Sequence, residues 1–282
     1  FSHELNGNGA YVFPMSYAQR RLWFLDQLHP RTSASNLPIA MRVDGPLDRI
    51  LLEKALRQIV SRHEVLRTRF GQVNNEPVQI VYSNFEFKLE VVDLTSLPDE
   101  QRQAKVDQLI SGDVKHVFDL QDGPLFRGTL YALTADEHVL LLNMHHIVAD
   151  GWSFRVILRE MQIFYESFVT GNAAELNELP IQYGDYAHWQ EEFCSTAAFG
   201  SKLEFWKDRL EGAPQFIDLP MARPRPSYPS LDASITSLLL SDRLTREVKE
   251  LSSLQGSTLF MTLMAAFKIL LFRYTNQNDI VL

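Results

Sequence analysis

Val139-Leu140-Leu141-Leu142 is an unbroken apolar run, the pattern of a buried strand. From 152 to 168 the apolar residues return at 154, 157, 158, 161, 165 and 168, the spacing of one helix face. Between the two stands Met144-His145-His146-Ile147-Val148-Ala149-Asp150-Gly151-Trp152-Ser153, predicted to leave a strand, turn and enter a helix. Upstream, Ser16-Tyr17-Ala18-Gln19 has the form of a capping box ahead of a helix through about Leu28, which Pro30 helps to stop. Residues 39–43 read as a strand closed by Asp44-Gly45-Pro46. Asp48 can cap a second helix with Leu51, Leu52, Ala55, Leu56, Ile59 and Val60 on one face. Residues 65–70 and 78–82 read as a hairpin around Asn74-Asn75, followed by a helix over 99–117 and strands at 125–133 and 138–144.

Antiparallel pairs interleaved with covering helices favour a helix-on-sheet α/β sandwich over a doubly wound parallel sheet. The polar, small-residue stretch 170–180 is the best lobe boundary. Beyond it come helices at 183–193 and 202–210, the former expected to bury Tyr183, Tyr186 and Trp189. An extended run over 219–229 carries four prolines, and a strand at 235–240 and two further helices follow. Leu259 to Phe272 reads as a buried helix, too short and too interrupted by Thr262 and Lys268 to span a bilayer comfortably. Phe1 is not an initiator methionine and 279–282 begins a strand and stops, so the sequence reads as an excerpt of something longer.

The 282 residues, 45% apolar, suffice for one large domain or two lobes with real cores. The net charge of −8 is dispersed, with no Lys/Arg block to track phosphates, which argues against nucleic acid. Cys194 alone excludes an internal disulfide and a cysteine-based zinc cluster. No signal peptide opens the sequence, and a reducing, cytoplasmic setting without a membrane fits.

Histidine moves protons near neutral pH, and strand ends hold reactive groups against clefts, so the chemistry is expected at His145-His146. A strand alternates its side chains, so one histidine is expected to be packed and hydrogen-bonded and the other available. Asp150 could orient His146, or pair with Arg62 or Arg67 of Arg62-His63-Glu64-Val65-Leu66-Arg67-Thr68. Gly151 allows a close backbone approach or a positive φ, or merely ends a turn. A zinc pair of His146 and Asp150 would need a helix where Gly151 argues against one, and it lacks a third ligand. No Gly-x-Ser-x-Gly elbow and no Gly-rich phosphate loop is present, and no cofactor or metal is expected to bind tightly.

His145-His146-Ile147-Val148-Ala149-Asp150-Gly151 resembles the HHxxxDG signature of condensation domains of nonribosomal peptide synthetases. Ser16-Tyr17-Ala18-Gln19-Arg20-Arg21-Leu22-Trp23-Phe24-Leu25 resembles that family's opening motif. Arg62 through Phe70 resembles its second motif, and Tyr183-Gly184-Asp185-Tyr186-Ala187-His188-Trp189-Gln190 its fourth. The resemblance implies a two-lobed, chloramphenicol-acetyltransferase-like α/β sandwich. Residues 1–175 would form the N-terminal lobe and 176–282 the first part of the C-terminal lobe. The family's later motifs are absent, so the tunnel is expected to be incomplete and the chain as it stands inactive.

The activity implied is amide formation. A carrier-bound amine attacks an upstream carrier-bound thioester, both presented on 4'-phosphopantetheine arms of peptidyl carrier domains, with an adenylation domain as neighbour. His146 matches the histidine assigned as base or as positioning group. His145 and Asp150 look structural, with Arg62 as the partner of Asp150 and Arg67 and Trp152 supporting the site. The Gly151 amide would line the tunnel near the reacting carbonyl. Trp152 after Asp-Gly also favours condensation over epimerisation. A coenzyme A-dependent acyltransferase and an inactive recruiting module remain the alternatives. Docking of carriers to so acidic a chain is expected to use local basic or apolar patches, weakly and without salt sensitivity.

Overall fold

The computed structural model describes residues 3–5, 9–220 and 236–282. Its elements are β1 (His3–Leu5), β2 (Ala10–Pro14), α1 (Tyr17–Leu28), β3 (Asn36–Asp44), α2 (Arg49–Arg62), β4 (Thr68–Val73), β5 (Glu76–Tyr82), β6 (Leu89–Asp93), α3 (Asp99–Asp113), β7 (Phe126–Ala132), β8 (Glu137–His145), α4 (Gly151–Thr170), α5 (Tyr183–Cys194), α6 (Ala197–Leu210), α7 (Asp242–Leu254) and α8 (Leu259–Thr275). They divide into two compact units, Phe1–Thr196 and Ala197–Leu282.

The first unit is built on a sheet of order β3-β8-β7-β6, antiparallel except for the parallel pair β6–β7. On one face Leu140, Leu142 and Met144 of β8 pack with Leu52, Leu56 and Ile59 of α2 and Ile157 of α4. On the other, Val139 and Leu141 meet Val106 of α3 together with Tyr131 and Leu133. β8 is thus covered on both sides, which is why its sequence is a continuous apolar run rather than an alternation. A second sheet, β1-β2-β5-β4, contains the expected hairpin. Asn74 and Asn75 at its turn have φ of 52° and 66°, left-handed values that asparagine tolerates better than most residues.

The predicted caps form. Ser16 and Gln19 complete the capping box of α1, and Asp48 accepts from the amides of Ile50 and Leu51 at the start of α2. Other expectations are corrected. Residues 64–67 make a 3-10 turn before β4, and α3 stops at Asp113, four residues early. The short strands β2 and β6 were not predicted; five residues give too little alternation to read.

α5 departs from expectation at Trp189, while Tyr183 and Tyr186 are half-buried. Gly184 and Ala187 are its buried residues, and a Cβ on Gly184 would stand 2.8 Å from the Phe13 ring. Small residues let the helix close on β2, so Trp189 turns outward, 54% exposed, and stacks on Phe193.

In the second unit α7 and α8 meet through Ser252, whose hydroxyl lies 2.7 Å from that of Thr262, and Leu271 is buried. Most other apolar residues of α8, Phe260 and Ile269 among them, are exposed, contrary to the expected buried helix. Among the described residues this unit offers helices but no sheet to layer against that face. The expected strand fails for the same reason: residues 236–240 pair with no described strand, and residues 279–282 form none. Ile235 and most of the proline-rich stretch, from Met221 on, lie outside the described residues. No single helix among the described residues is long and apolar enough to cross a membrane.

Candidate active site at the double-histidine loop

Strand β8 ends at His145, and the chain turns at once. The Val148 amide donates to the His145 carbonyl at 3.1 Å, while the His145 and His146 amides donate to Leu125 and Ser35. Ile147 and Val148 drop into an apolar cluster with Met15, Phe70, Phe118, Leu120 and Leu125. This anchors the turn from below, so the two histidines separate as strand alternation requires: His145 is 3% exposed and His146 faces solvent.

The two rings have different hydrogen-bonding states. The Ile147 amide donates to His145 Nδ1 at 3.1 Å, which makes that nitrogen an acceptor and puts the ring proton on Nε2. Burial, reinforced by the neighbouring His146, pushes the His145 imidazole down to about 4. His145 is therefore neutral at physiological pH, a packed member with the Phe118 ring edge-on at 6.2 Å. His146 Nδ1 stands 2.8 Å from the Ala149 carbonyl. A carbonyl only accepts, so Nδ1 is the donor, and in the neutral ring Nε2 is the acceptor, on an exposed side chain.

His145 also links folding to acid. The unfolded chain takes up a proton near pH 6.5, while the folded ring refuses it until about pH 4. Its contribution is therefore whole above pH 6.5 and is lost as pH falls through that window, by about 3 kcal/mol in all. Urea unfolding of wild type and His145→Asn from pH 7 to 4 should converge by that amount as pH drops. Parallel curves would show that this ring is not the source.

Asp150 is structural as expected, but its partner is neither His146 nor an arginine. Its carboxylate is the N-cap of α4, accepting from the Ser153 amide at 2.9 Å and the Ser153 hydroxyl at 2.8 Å. The Ser153 Oγ in turn accepts from the Asp150 amide, closing a capping box. Those Ser153 bonds, hydroxyl before amide, hold the Asp150 carboxyl below the usual carboxylate range. The signal was in the sequence: Asp-Gly-Trp-Ser has capping-box spacing. Asp150→Asn should therefore cost only a few tenths of a kcal/mol and Asp150→Ala about 1 kcal/mol by urea unfolding. Equal losses of about 3 kcal/mol in both would instead indicate an ion pair.

The expected Arg62–Asp150 pair is replaced by Arg62–Glu160. Glu160, buried on α4, accepts from Arg62 Nε at 3.1 Å and lies 2.7 Å from His63 Nε2; a second Arg62 nitrogen donates to the Asn177 carbonyl. Burial pushes the Glu160 carboxyl up, but the bonds and charges of His63 and Arg62 outweigh it and hold the group low. Arg62 closes α2, which packs on α4, so Glu160 is within its reach while Asp150 is committed to the cap. Arg67 ties the 3-10 turn to the end of β5 instead, bonding Glu64 and the Tyr82 carbonyl. Trp152 is 67% exposed and lies under the Arg155 guanidinium, so it does not prop the loop from within. Gly151 lacks a positive φ; it is the first residue of α4, and a Cβ there would meet nothing within 4 Å. No described residue accepts its N–H, as is usual for the first amide of a helix.

The four motif stretches converge. Ser16 Oγ lies 3.0 Å from the Tyr183 hydroxyl, and Gln190 Oε1 accepts from the Tyr17 amide at 2.8 Å. Arg20 pairs with Glu191 at 2.8 Å. Gln182 accepts from the Glu64 amide and donates to the Arg62 carbonyl. Gln182, Ser153 and Glu160 were missed by sequence reasoning.

The site is thus an exposed histidine just past the end of an interior strand of an α/β sheet, four residues before the N-cap of a helix. The condensation-domain family model matches residues 10–282, and the chain belongs to that family. A linear gramicidin synthase of Brevibacillus parabrevis is 44% identical over 95% of this chain. The chain spans only 5% of that relative's length. Among solved structures, the X-domain from teicoplanin biosynthesis is 30% identical with a TM-score of 0.80, covering 93% of this chain and 57% of that one. The first condensation domain of the CDA synthetase gives 0.77 at 21% identity, covering 95% and 64%.

Proposed function

We propose that the chain forms an amide bond between two carrier-bound substrates in nonribosomal peptide synthesis. The observation that carries this reading is the exposed His146 ring, whose Nδ1 faces the Ala149 carbonyl and so leaves Nε2 as the acceptor of the neutral ring, five residues before Gly151, whose amide has no acceptor among the described residues. In the proposed reaction Nε2 accepts a hydrogen bond from the acceptor amine and aligns its lone pair on the thioester carbonyl. As the C–N bond forms, the Gly151 N–H supports the carbonyl oxygen, and Nε2 takes the amine proton. The C–S bond then breaks, and the proton passes to the departing pantetheine thiolate. His145 and Asp150 hold the turn, and Arg62 holds α4 through Glu160. Arg67 secures the strand that follows its motif.

On this reading residues 1–175 are the N-terminal lobe and 176–282 the first part of the C-terminal lobe, in a cytoplasmic synthetase. Peptidyl carrier domains lie upstream and downstream, with an adenylation domain as neighbour. Similarity of this chain to gramicidin synthase supports the assignment. A second reading, a recruiting module, is favoured by one comparison: the 28% identical X-domain is solved in complex with OxyB. The complete loop and the exposed His146 favour catalysis.

The test presents one acyl group to the full-length protein as a carrier thioester and as a coenzyme A thioester. Transfer from the carrier and little from coenzyme A is expected. Equal or preferred use of coenzyme A would make this a coenzyme A-dependent acyltransferase, and transfer from neither would favour the recruiting module.

A further inference from the structure

Helix α4 carries a feature that the chemistry at His146 does not use. Trp152, Arg155 and Arg159 stand at i, i+3 and i+7, along one face of the helix. Trp152 is 67% exposed, and the Arg155 guanidinium lies 4.8 Å from its ring centroid. Arg159 is exposed and has neither a hydrogen bond nor an ion pair among the described residues, and no described carboxylate pairs with Arg155. The stripe forms one wall of a groove of about 530 Å³, completed by Arg62, Leu176 and Leu179. Glu160 also lines the groove but is spent on Arg62 and His63; Glu178 is the other carboxylate of its lining.

This arrangement is costly for an isolated chain. Arg155 and Arg159 are like charges at i, i+4, a spacing at which they destabilise a helix. The chain has 35 acidic residues against 27 basic ones, yet no described one neutralises this pair. An exposed tryptophan flanked by unneutralised arginines has the composition of an interface centre. The groove's charge calls for an acidic partner with an apolar spot for the indole and for Leu176 and Leu179. The stripe begins two residues after Asp150, at the N-terminal end of α4 beside the histidine loop. A protein seated there would stand next to His146.

We propose that the Trp152–Arg155–Arg159 stripe docks the acidic face of one of the two carrier domains. The proposal rests on the reading that carriers deliver the substrates, and it names the surface that receives one of them. Docking through arginines also replaces the salt-insensitive binding expected from the sequence with binding that weakens as salt rises.

The test compares the full-length protein with its Arg155→Glu/Arg159→Glu variant, using separately prepared holo carrier domains and a soluble pantetheine thioester as donor. Affinity for one carrier should fall by about tenfold or more, with the other carrier unaffected. Amide formation from the soluble thioester should match wild type. Wild-type affinity for the affected carrier should decline between low and high salt, and that decline should flatten in the variant. Unchanged affinity for both carriers would overturn the proposal, as would parallel losses for both carriers and the soluble donor, which mark a general lesion. If wild type binds neither carrier and makes no amide from any donor, the carrier reading fails and the proposal with it. If the variant condenses carrier-bound substrates as well as wild type does, only the docking surface is refuted.

Discussion

Exchange of His146 for alanine is expected to cut amide formation by about 10²- to 10⁴-fold, the range for a proton acceptor acting in the transition state. The unfolding midpoint should scarcely move. The ring is exposed, and its hydrogen bond is to the Ala149 carbonyl of its own turn, which water can satisfy when the ring is gone. The turn itself hangs on Ile147 and Val148 in the apolar cluster below, not on the imidazole. Single-turnover rates on loaded carriers, with urea unfolding in parallel, separate the two effects. A loss of less than about tenfold would reduce His146 to a positioning group, since an activated thioester and a free amine need little proton transfer. A large loss accompanied by unfolding would point to a structural role instead.

Glu160→Ala is expected to destabilise the protein by about 3–5 kcal/mol, the cost of stranding one member of a buried ion pair. Glu160 is 5% exposed and serves two partners, Arg62 and His63, so its removal leaves both short of an acceptor. The lower end of that range is favoured because Arg62 keeps its bond to the Asn177 carbonyl. Urea unfolding at unchanged slope measures the loss. A double-mutant cycle with Arg62→Met and Glu160→Met should give a coupling of about 1 kcal/mol or more, because the double variant no longer buries an orphan charge. Additive effects would dissociate the two residues. The variant also tests what steadies the site: α4 starts at the histidine loop, and Glu160 is its polar tie to the end of α2.

What could be read from the sequence was local. Ser16 caps a box closed three residues later by Gln19, and Asp48 caps amides two and three residues on, so both were legible. The four apolar residues of β8 announced a buried strand, and alternation foretold that one histidine would be inside and one outside. The pairing of Arg62 was not legible, because its acceptor lies 98 positions away and only the packing of α2 on α4 selects Glu160 over Asp150. Asp150 was read as structural but given the wrong partner: Arg62 was expected, whereas the cap on Ser153, three residues on, is local. Trp189 was placed inward with Tyr183 and Tyr186, which are half-buried, whereas it is exposed. Gly184 and Ala187 decided otherwise, because they allow an approach to β2 that large side chains forbid. For α8, hydrophobicity marked a helix with a face to cover, but it could not say whether the described elements would cover it.

The most direct measurement is intact-mass analysis of the acceptor carrier after incubation of the full-length protein with both carriers correctly loaded. The acceptor is expected to gain the mass of the donor acyl group, joined as an amide that resists thiol exchange, while the donor carrier returns to its free thiol form. With folded protein and loaded carriers, an unchanged acceptor and a donor that keeps its thioester would contradict amide formation at the His146 loop.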